Sequence, residues 1–298
     1  MKIAISGSTG FIGTHLIHYL SERGYQVVPI GRELLNENAF QRLVKALNGC
    51  SVVINLAGAP INRRWTESYK KELHDSRIGV TRLLVRAISE SEHKPEVLLS
   101  ASAVGYYPSE GEYDEDDVAD TEGFLAALCR DWETEARESM PYTRVVITRF
   151  GLVLSPDGGA LSQMLLPLRW LRFSTVIGNG YQSFPWIGIT DLCRAVGYLV
   201  EDKKAEGVYN LTSPQTITQR YFARVLAKAY HAWGIQPVPE FIFQLLYGEG
   251  STAVTEGQNV HPRRLLDAGF TYLTPTIECF LQFSKDAAPY RYVRWGER

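Results

Sequence analysis

The chain has 298 residues, 45% of them hydrophobic and 21% charged, with a formal net charge of -2. That length suits one large α/β domain or a nucleotide-binding domain with a smaller lobe, and the near-neutral balance offers no general attraction for nucleic acid or anionic lipid. No run approaches the roughly 20 apolar residues of a membrane span, and Met1 to Gly13 has neither the basic start nor the small-residue cleavage site of an export signal, so the expected location is cytoplasmic.

In chain order, Lys2 to Ser6 reads as a short apolar strand, Gly7 to Gly13 as a glycine-rich turn, and Phe11 to Arg23 as a helix with Leu16, Ile17 and Leu20 on one side. Tyr25 to Ile30 is the next strand, which completes a βαβ unit of a parallel sheet. A helix over Glu37 to Leu47 fills most of the space before Ser51 and leaves little room for a separate third strand. β-Branched runs follow at Ser51 to Leu56, Val97 to Ser100 and Arg144 to Thr148, each after a helical stretch. This alternation predicts an α/β fold, a Rossmann-like doubly wound parallel sheet with helices on both faces.

After Gly151 the alternation weakens. Pro156 to Gly159, Pro167, Gly178 to Gly180 and Pro185 read as loops around a helix near Leu161 to Arg172, the pattern of an inserted substrate lobe. Asp191 to Val200 and Gly207 to Leu211 return to the sheet as helix and strand. Tyr221 to Ala232, Phe241 to Tyr247 and Pro262 to Ala268 predict helices. The expected organisation is a nucleotide-binding domain over 1–212, with 155–187 contributing to the substrate lobe, and a mainly helical C-terminal domain over 213–298. Cys50, Cys129, Cys193 and Cys279 are widely spaced with no CxxC pair, so buried reduced thiols are expected and no metal site.

Within the turn Gly7-Ser8-Thr9-Gly10-Phe11-Ile12-Gly13, glycines at three-residue intervals suit a tight bend, close backbone approach to a pyrophosphate, and close helix-to-strand packing. The free N–H groups that open the following helix would receive the phosphates. Strand before and helix after give the motif its dinucleotide-binding context. At the end of the second strand, where an acidic residue would bond the ribose of NAD, the chain has Gly31-Arg32. A guanidinium pairs bidentately with a 2'-phosphate, so Arg32 favours NADP(H) over NAD(H). Glu33 beside it remains able to reach a ribose, and Arg32 read as a plain surface arginine is the alternative.

Gly7-x-x-Gly10-x-x-Gly13, Asn55-Leu-Ala-Gly58 and Ser100-Ala-Ser102 together resemble the extended short-chain dehydrogenase/reductases, which include the NAD(P)-dependent sugar epimerases and dehydratases. Ala59-Pro-Ile, Arg64-Trp65-Thr66, Ser76-Arg77, Ser102-Ala-Val-Gly-Tyr106-Tyr107, Trp132-Glu133, Arg149-x-Gly151-x-Val153-Leu154, Trp186-Ile187 and Asp191-Leu192 resemble more narrowly its atypical epimerase-family subgroup. Pro262-x-Arg264-Leu265 with Ala268-Gly269-Phe270 resembles that subgroup's C-terminal domain of unknown function. The resemblance implies that Asn55, Leu56, Ala57 and Gly58 line the cofactor, and that Ser102 bonds a substrate oxygen. It also suggests a frame of Arg64, Trp65, Arg77 and Trp186 around a small polar substrate, a nucleotide sugar among the candidates. A homodimer through helices beside the sheet is a further implication.

One part of the family pattern is missing. Active members carry a Tyr-x-x-x-Lys pair, the tyrosine moving a proton and the lysine assisting it. Aligned on Trp132-Glu133, those two positions hold Leu125 and Cys129. Tyr106 and Tyr107, in a glycine-containing loop after Ser102, are the replacement proton carriers to consider, with Arg77 or Arg64 as the assisting cation; packing aromatics and solvated arginines are the bland alternative. The expected function is an NADP(H)-dependent oxidoreductase or epimerase-like enzyme, with a non-catalytic NADP(H) sensor as its rival. Neither nucleic acid nor membrane is an expected partner.

Overall fold

The computed structural model describes residues 1–118 and 122–286. Its first part runs β1 (Lys2–Ser6), α1 (Phe11–Glu22), β2 (Gln26–Ile30), α2 (Phe40–Leu47), β3 (Val52–Asn55), α3 (Glu67–His74), α4 (Val80–Glu90) and β4 (Val97–Ala103). There follow β5 (Glu112–Tyr113), α5 (Phe124–Arg137), β6 (Arg144–Phe150) and β7 (Leu152–Ser155). Then come α6 (Gly159–Leu171), β8 (Phe173–Ile177), β9 (Trp186–Gly188), α7 (Ile189–Glu201) and β10 (Gly207–Leu211). The C-terminal part adds α8 (Gln219–Ala229), β11 (Gly234–Val238), α9 (Glu240–Tyr247), α10 (Thr252–Thr255), β12 (Asn259–Val260), α11 (Arg263–Asp267) and α12 (Ile277–Asp286).

Six strands pair in parallel in the order β10-β6-β4-β3-β1-β2. They are apolar throughout because both faces are covered. On one face α1 and α7 bury Leu16, Leu20, Leu192, Val196 and Leu199, and on the other α2 and α4 bury Leu43, Leu47, Leu84 and Ile88. The sheet is the expected doubly wound one. β2 is its edge, since the segment between β2 and β3 holds only a 3-10 turn over Glu37–Ala39 and α2.

A smaller lobe sits beyond β7. β8 and β11 form a two-stranded parallel ribbon registered Phe173↔Gly234 to Ile177↔Val238. Leu161, Leu165 and Leu168 of α6 share one core with Phe222 and Leu226 of α8 and with Ile277, Phe280 and Leu281 of α12. The 155–187 insertion and the segment after 212 therefore close over each other. The C-terminal segment is also fastened to the sheet domain. Asp191 accepts hydrogen bonds from the Leu273 and Thr274 N–H groups and the Thr274 hydroxyl, and Leu265, Phe270 and Tyr272 enter the main core. This segment contains the strands β11 and β12 as well as helices.

Candidate functional site

The glycine turn has the geometry its spacing predicts. Gly7 has φ +68°, and a Cβ on it would lie 2.6 Å from the Leu56 carbonyl oxygen; a Cβ on Gly13 would collide with the Gly7 carbonyl. Only glycine lets β1, β3 and α1 approach this closely. The Gly10 N–H bonds the Gly7 carbonyl at 3.0 Å, Gly10 caps α1 without a side-chain hydrogen bond, and the first turn of α1 carries no acidic residue. That leaves helix-opening donors and the positive end of the helix dipole for an anion, with Ser8, Thr9 and Phe11 to Gly13 around them. The Phe11 ring lies against Gly158 and Gly159, so this turn is in contact with the lobe.

Arg32 lies just past β2, exposed, and its guanidinium has no hydrogen-bond or ion-pair partner among the described residues. The Glu33 carboxylate folds back against Gly31, close enough to exclude a Cβ there. Thus the cation is presented and the neighbouring acid is turned onto its own backbone. The residues present fit a phosphorylated dinucleotide at both ends, with a cradle that a side chain would fill and a free guanidinium at the second strand end.

At the end of β3, Asn55 serves the turn from within. Fully buried, it accepts from the Ser6 hydroxyl at 2.6 Å and donates to the Thr81 hydroxyl at 2.8 Å. Asn55 therefore supports the turn and does not itself line the cofactor, a correction to its expected place. After it Leu56 is half-buried, Ala57 buried and Gly58 exposed, with the Arg77 guanidinium 3.1 Å from where a Gly58 Cβ would stand. Arg77 belongs to a π-helical turn, Asp75–Gly79, inserted between α3 and α4. It donates to the Ala59 carbonyl at 3.0 Å and the Leu73 carbonyl at 3.2 Å, and stacks on Trp132. Ser76 on the same turn accepts from the Ala59 N–H at 2.9 Å. The widened turn thereby clamps the loop after Gly58, a use of π-turns common at functional sites.

Ser102, expected to bond a substrate oxygen, is itself 2% exposed and belongs to a buried charged network. The Ser102 hydroxyl donates to Glu133 Oε1 at 2.8 Å. Glu133, 1% exposed, takes a two-pronged ion pair from Arg149 at 2.7 and 2.8 Å and a third contact from Arg137 at 3.1 Å. Burial works against the Arg149 charge, but Glu133 outweighs it and holds the pKa above the ordinary arginine value. Arg149 Nη1 then donates to the Tyr107 hydroxyl at 2.7 Å, and the same guanidinium lies 3.4 Å from the centroid of the Tyr106 ring.

These contacts separate the two tyrosines. Tyr107 is 1% exposed, with its hydroxyl enclosed by Arg149, the Asp114 carbonyl at 2.9 Å and Asn210 Oδ1 at 3.1 Å, and burial pushes its pKa up to about 12. It is a structural member of the network, which corrects its expected part as a proton carrier. Tyr106 is half-buried, rests on Arg149, and its hydroxyl has no hydrogen bond among the described residues. Tyr106 ends a 3-10 turn, Val104–Tyr106, capped by Tyr107, rather than an open loop.

The two positions of the missing pair are filled by packing. Leu125 touches Gly105, and Cys129 is buried beneath the Ala103 carbonyl with its thiol pushed up to about 11 by burial. Of the expected substrate frame, Arg64 is exposed and donates to the Leu245 carbonyl of α9 at 2.9 Å. Trp65 is buried and donates to the Ile61 carbonyl at 2.9 Å. Trp186 is 1% exposed and packs on Phe280 inside the lobe, so it supports the lobe from within, a correction to its expected place on a pocket wall. Neither Arg64 nor Arg77 reaches the tyrosines; the cation there is Arg149. Glu133 and Arg149 were not among the expected site residues, although both stand in the motifs Trp132-Glu133 and Arg149-x-Gly151. Neither was His15, one helical turn beyond the glycine turn, edge-on to Phe11 and 3.9 Å from Asp157 of the lobe.

Residues 3–212 match the NAD dependent epimerase/dehydratase family, and residues 238–283 match a domain of unknown function, DUF1731. Epimerase family protein SDR39U1 of Mus musculus is 39% identical, covering 95% of this chain and 99% of its own length. Epimerase family protein SH2119 of Staphylococcus haemolyticus is 36% identical over 91% of this chain and 94% of its own. The crystal structure of human epimerase family protein SDR39U1 with NADPH superposes with a TM-score of 0.88 at 34% identity, covering 96% of this chain and all, 100%, of that one.

Proposed function

The chain belongs to the NAD-dependent epimerase/dehydratase family, and from that premise we propose that it is an NADP(H)-dependent oxidoreductase or epimerase-like enzyme acting on a small polar substrate, nucleotide sugars included. The observation that carries the reading is the pairing of the open α1 N-terminus at Gly7 to Gly13 with the unpartnered Arg32 guanidinium. The glycine turn would hold the pyrophosphate, Arg32 the 2'-phosphate, and Leu56 to Gly58 the nicotinamide side. Bound there, NADP(H) would supply or take up a hydride.

The chain's own residues divide the remaining work. Because the Ser102 hydroxyl donates its hydrogen bond to Glu133, its oxygen is left to accept, which suits a substrate hydroxyl better than a carbonyl; at 2% exposure it meets only an atom inserted against β4. Tyr106 supplies the free hydroxyl that donates or removes the proton at the reacting oxygen. Arg149 fixes the Tyr106 ring through the attraction between cation and ring face. Arg77 and Ser76 hold the loop after Gly58 at its place beside the cofactor.

The test is turnover of the purified chain with NADPH across a panel of carbonyl compounds and nucleotide sugars, repeated with Ser102→Ala and Tyr106→Phe. Loss of a positioned proton group removes about 100-fold or more of the rate. Turnover unaffected by either change overturns the role assignment. Leu125 and the inert Cys129 thiol favour a second reading, a non-catalytic NADP(H) sensor; NADPH binding with no turnover across the panel selects it.

A further inference from the structure

The net charge of -2 averages over an uneven molecule. Residues 158–190 and 207–239, which build most of the lobe, contain no Asp or Glu, yet carry Arg169, Arg172, Arg220, Arg224 and Lys228. Three of these lie toward one end of the lobe, where β8 and β11 begin. There α6 ends at Leu171 with Arg172 as its cap, and α8 ends at Ala229, followed by Tyr230. Lys285 of α12 joins them, donating to the Ala229 carbonyl and lying 5.1 Å from the Tyr230 ring. Among the acids whose side chains are described, Glu240 folds onto Gly178 at the opposite end of the ribbon, and Glu278 is bonded to Tyr221.

The same apex exposes its apolar side chains. Trp170 is 82% exposed, Trp233 73% and Leu171 65%. Leu166 lies one turn before Trp170 on the face of α6 opposite the buried Leu161, Leu165 and Leu168. Tryptophans that open to water are unusual, because burial stabilises a large ring more than almost any other side chain. The backbone here is also held in an uncommon form. Arg172 at φ 56° and His231 at φ 51° are the two non-glycine residues with positive φ among those described. They are interlocked, Arg172 donating to the His231 carbonyl at 3.3 Å and the Trp233 N–H to the Arg172 carbonyl at 2.7 Å, with the Arg172 guanidinium over the Trp233 ring. Two left-handed turns thus present one aromatic-and-basic tip.

We propose that this tip, built on Trp170, Leu171, Trp233, Arg169 and Arg172, docks the protein onto an anionic lipid surface. Tryptophan beside arginine is the composition that settles at a bilayer interface, rings at the headgroup level and guanidinium groups among the phosphates. The aliphatic Leu166 and Leu171 favour lipid over single-stranded nucleic acid, whose bases would use stacking platforms rather than leucines. A second copy meeting the same face would set the arginines against one another. The attachment is peripheral: among the described residues no helix is long and apolar enough to cross a membrane.

Cosedimentation of the full chain with phosphatidylcholine vesicles, alone and mixed with phosphatidylglycerol, tests this. The chain should pellet with the anionic vesicles, remain in solution with the neutral ones, and be released by raised salt. Neutralising Arg169 and Arg172 together to Gln should weaken partitioning roughly 25-fold, at about fivefold for each basic residue near a charged surface. Trp170→Ala/Trp233→Ala should abolish the blue shift of tryptophan emission on vesicles while leaving NADPH affinity and the melting temperature unchanged. Failure to pellet with anionic vesicles, equal pelleting of the tryptophan variant, or burial of these tryptophans by single-stranded RNA or by self-association in place of vesicles would each overturn the proposal.

Discussion

At the scale of single residues, Glu133 and Arg149 show why the centre of the site is charged without being reactive. Each is almost fully desolvated, so the pair is tolerated only because both carboxylate oxygens and three guanidinium nitrogens are matched by partners. Arg149→Leu should cost about 3–5 kcal/mol in a denaturant titration, since it strands a buried carboxylate. Arg149→Lys should recover part of the stability but not the two-pronged geometry. The buried thiols and Tyr107 make a second residue-scale prediction. Burial raises Cys129 from 9.0 to about 11, Cys193 from 9.0 to about 12, and Tyr107 from 10.0 to about 12. A raised value means that the fold prefers the neutral, protonated form. Their stabilising contribution is therefore complete below about pH 9 and is lost as pH climbs to about 12. Melting curves should be flat through neutrality and fall over that alkaline window, with a shallower fall above pH 10 in Tyr107→Phe. A thiol reagent applied to the native chain should label the exposed Cys279 and spare the buried Cys50, Cys129 and Cys193.

Elements carry the next set of consequences. Gly13→Ala would drive a methyl group into the Gly7 carbonyl, so NADPH binding should fall to the detection limit even in protein that still folds. Asp191→Ala leaves two N–H groups, a hydroxyl and Arg194 without their acceptor, and should cost about 3 kcal/mol. Its particular signature is faster amide exchange around Leu273 and Thr274 than in β1 or β3. The sheet was legible at this scale because parallel strands buried on both faces are apolar runs, and the 20-residue gap from Arg32 to Ser51 left little room for a further strand. β11 was not legible: Gly234 to Val238 contains Pro237 and pairs with β8, far away in sequence. Likewise Asn55, Glu133 and Arg149 gave composition and motif position but no direction. Whether such a side chain faces a ligand or a buried partner depends on contacts made across 16 or more residues, which spacing along one element does not reveal.

For the molecule as a whole, the cofactor cradle and the lobe are joined through Phe11 against Gly158 and Gly159, and through the C-terminal segment that enters both cores. Binding a dinucleotide at the glycine turn should therefore stabilise both parts together, raising one cooperative melting transition rather than splitting it. The most direct test of the account is the affinity of the native chain and of Arg32→Ala for NADPH and NADH, measured by calorimetric titration at fixed salt. The native chain should bind NADPH more tightly than NADH, and Arg32→Ala should lose about 10- to 100-fold for NADPH, as expected for a charge-assisted phosphate contact, while leaving NADH almost unchanged. An unaltered NADPH affinity in Arg32→Ala, or a native chain that binds NADH as tightly as NADPH, would contradict it.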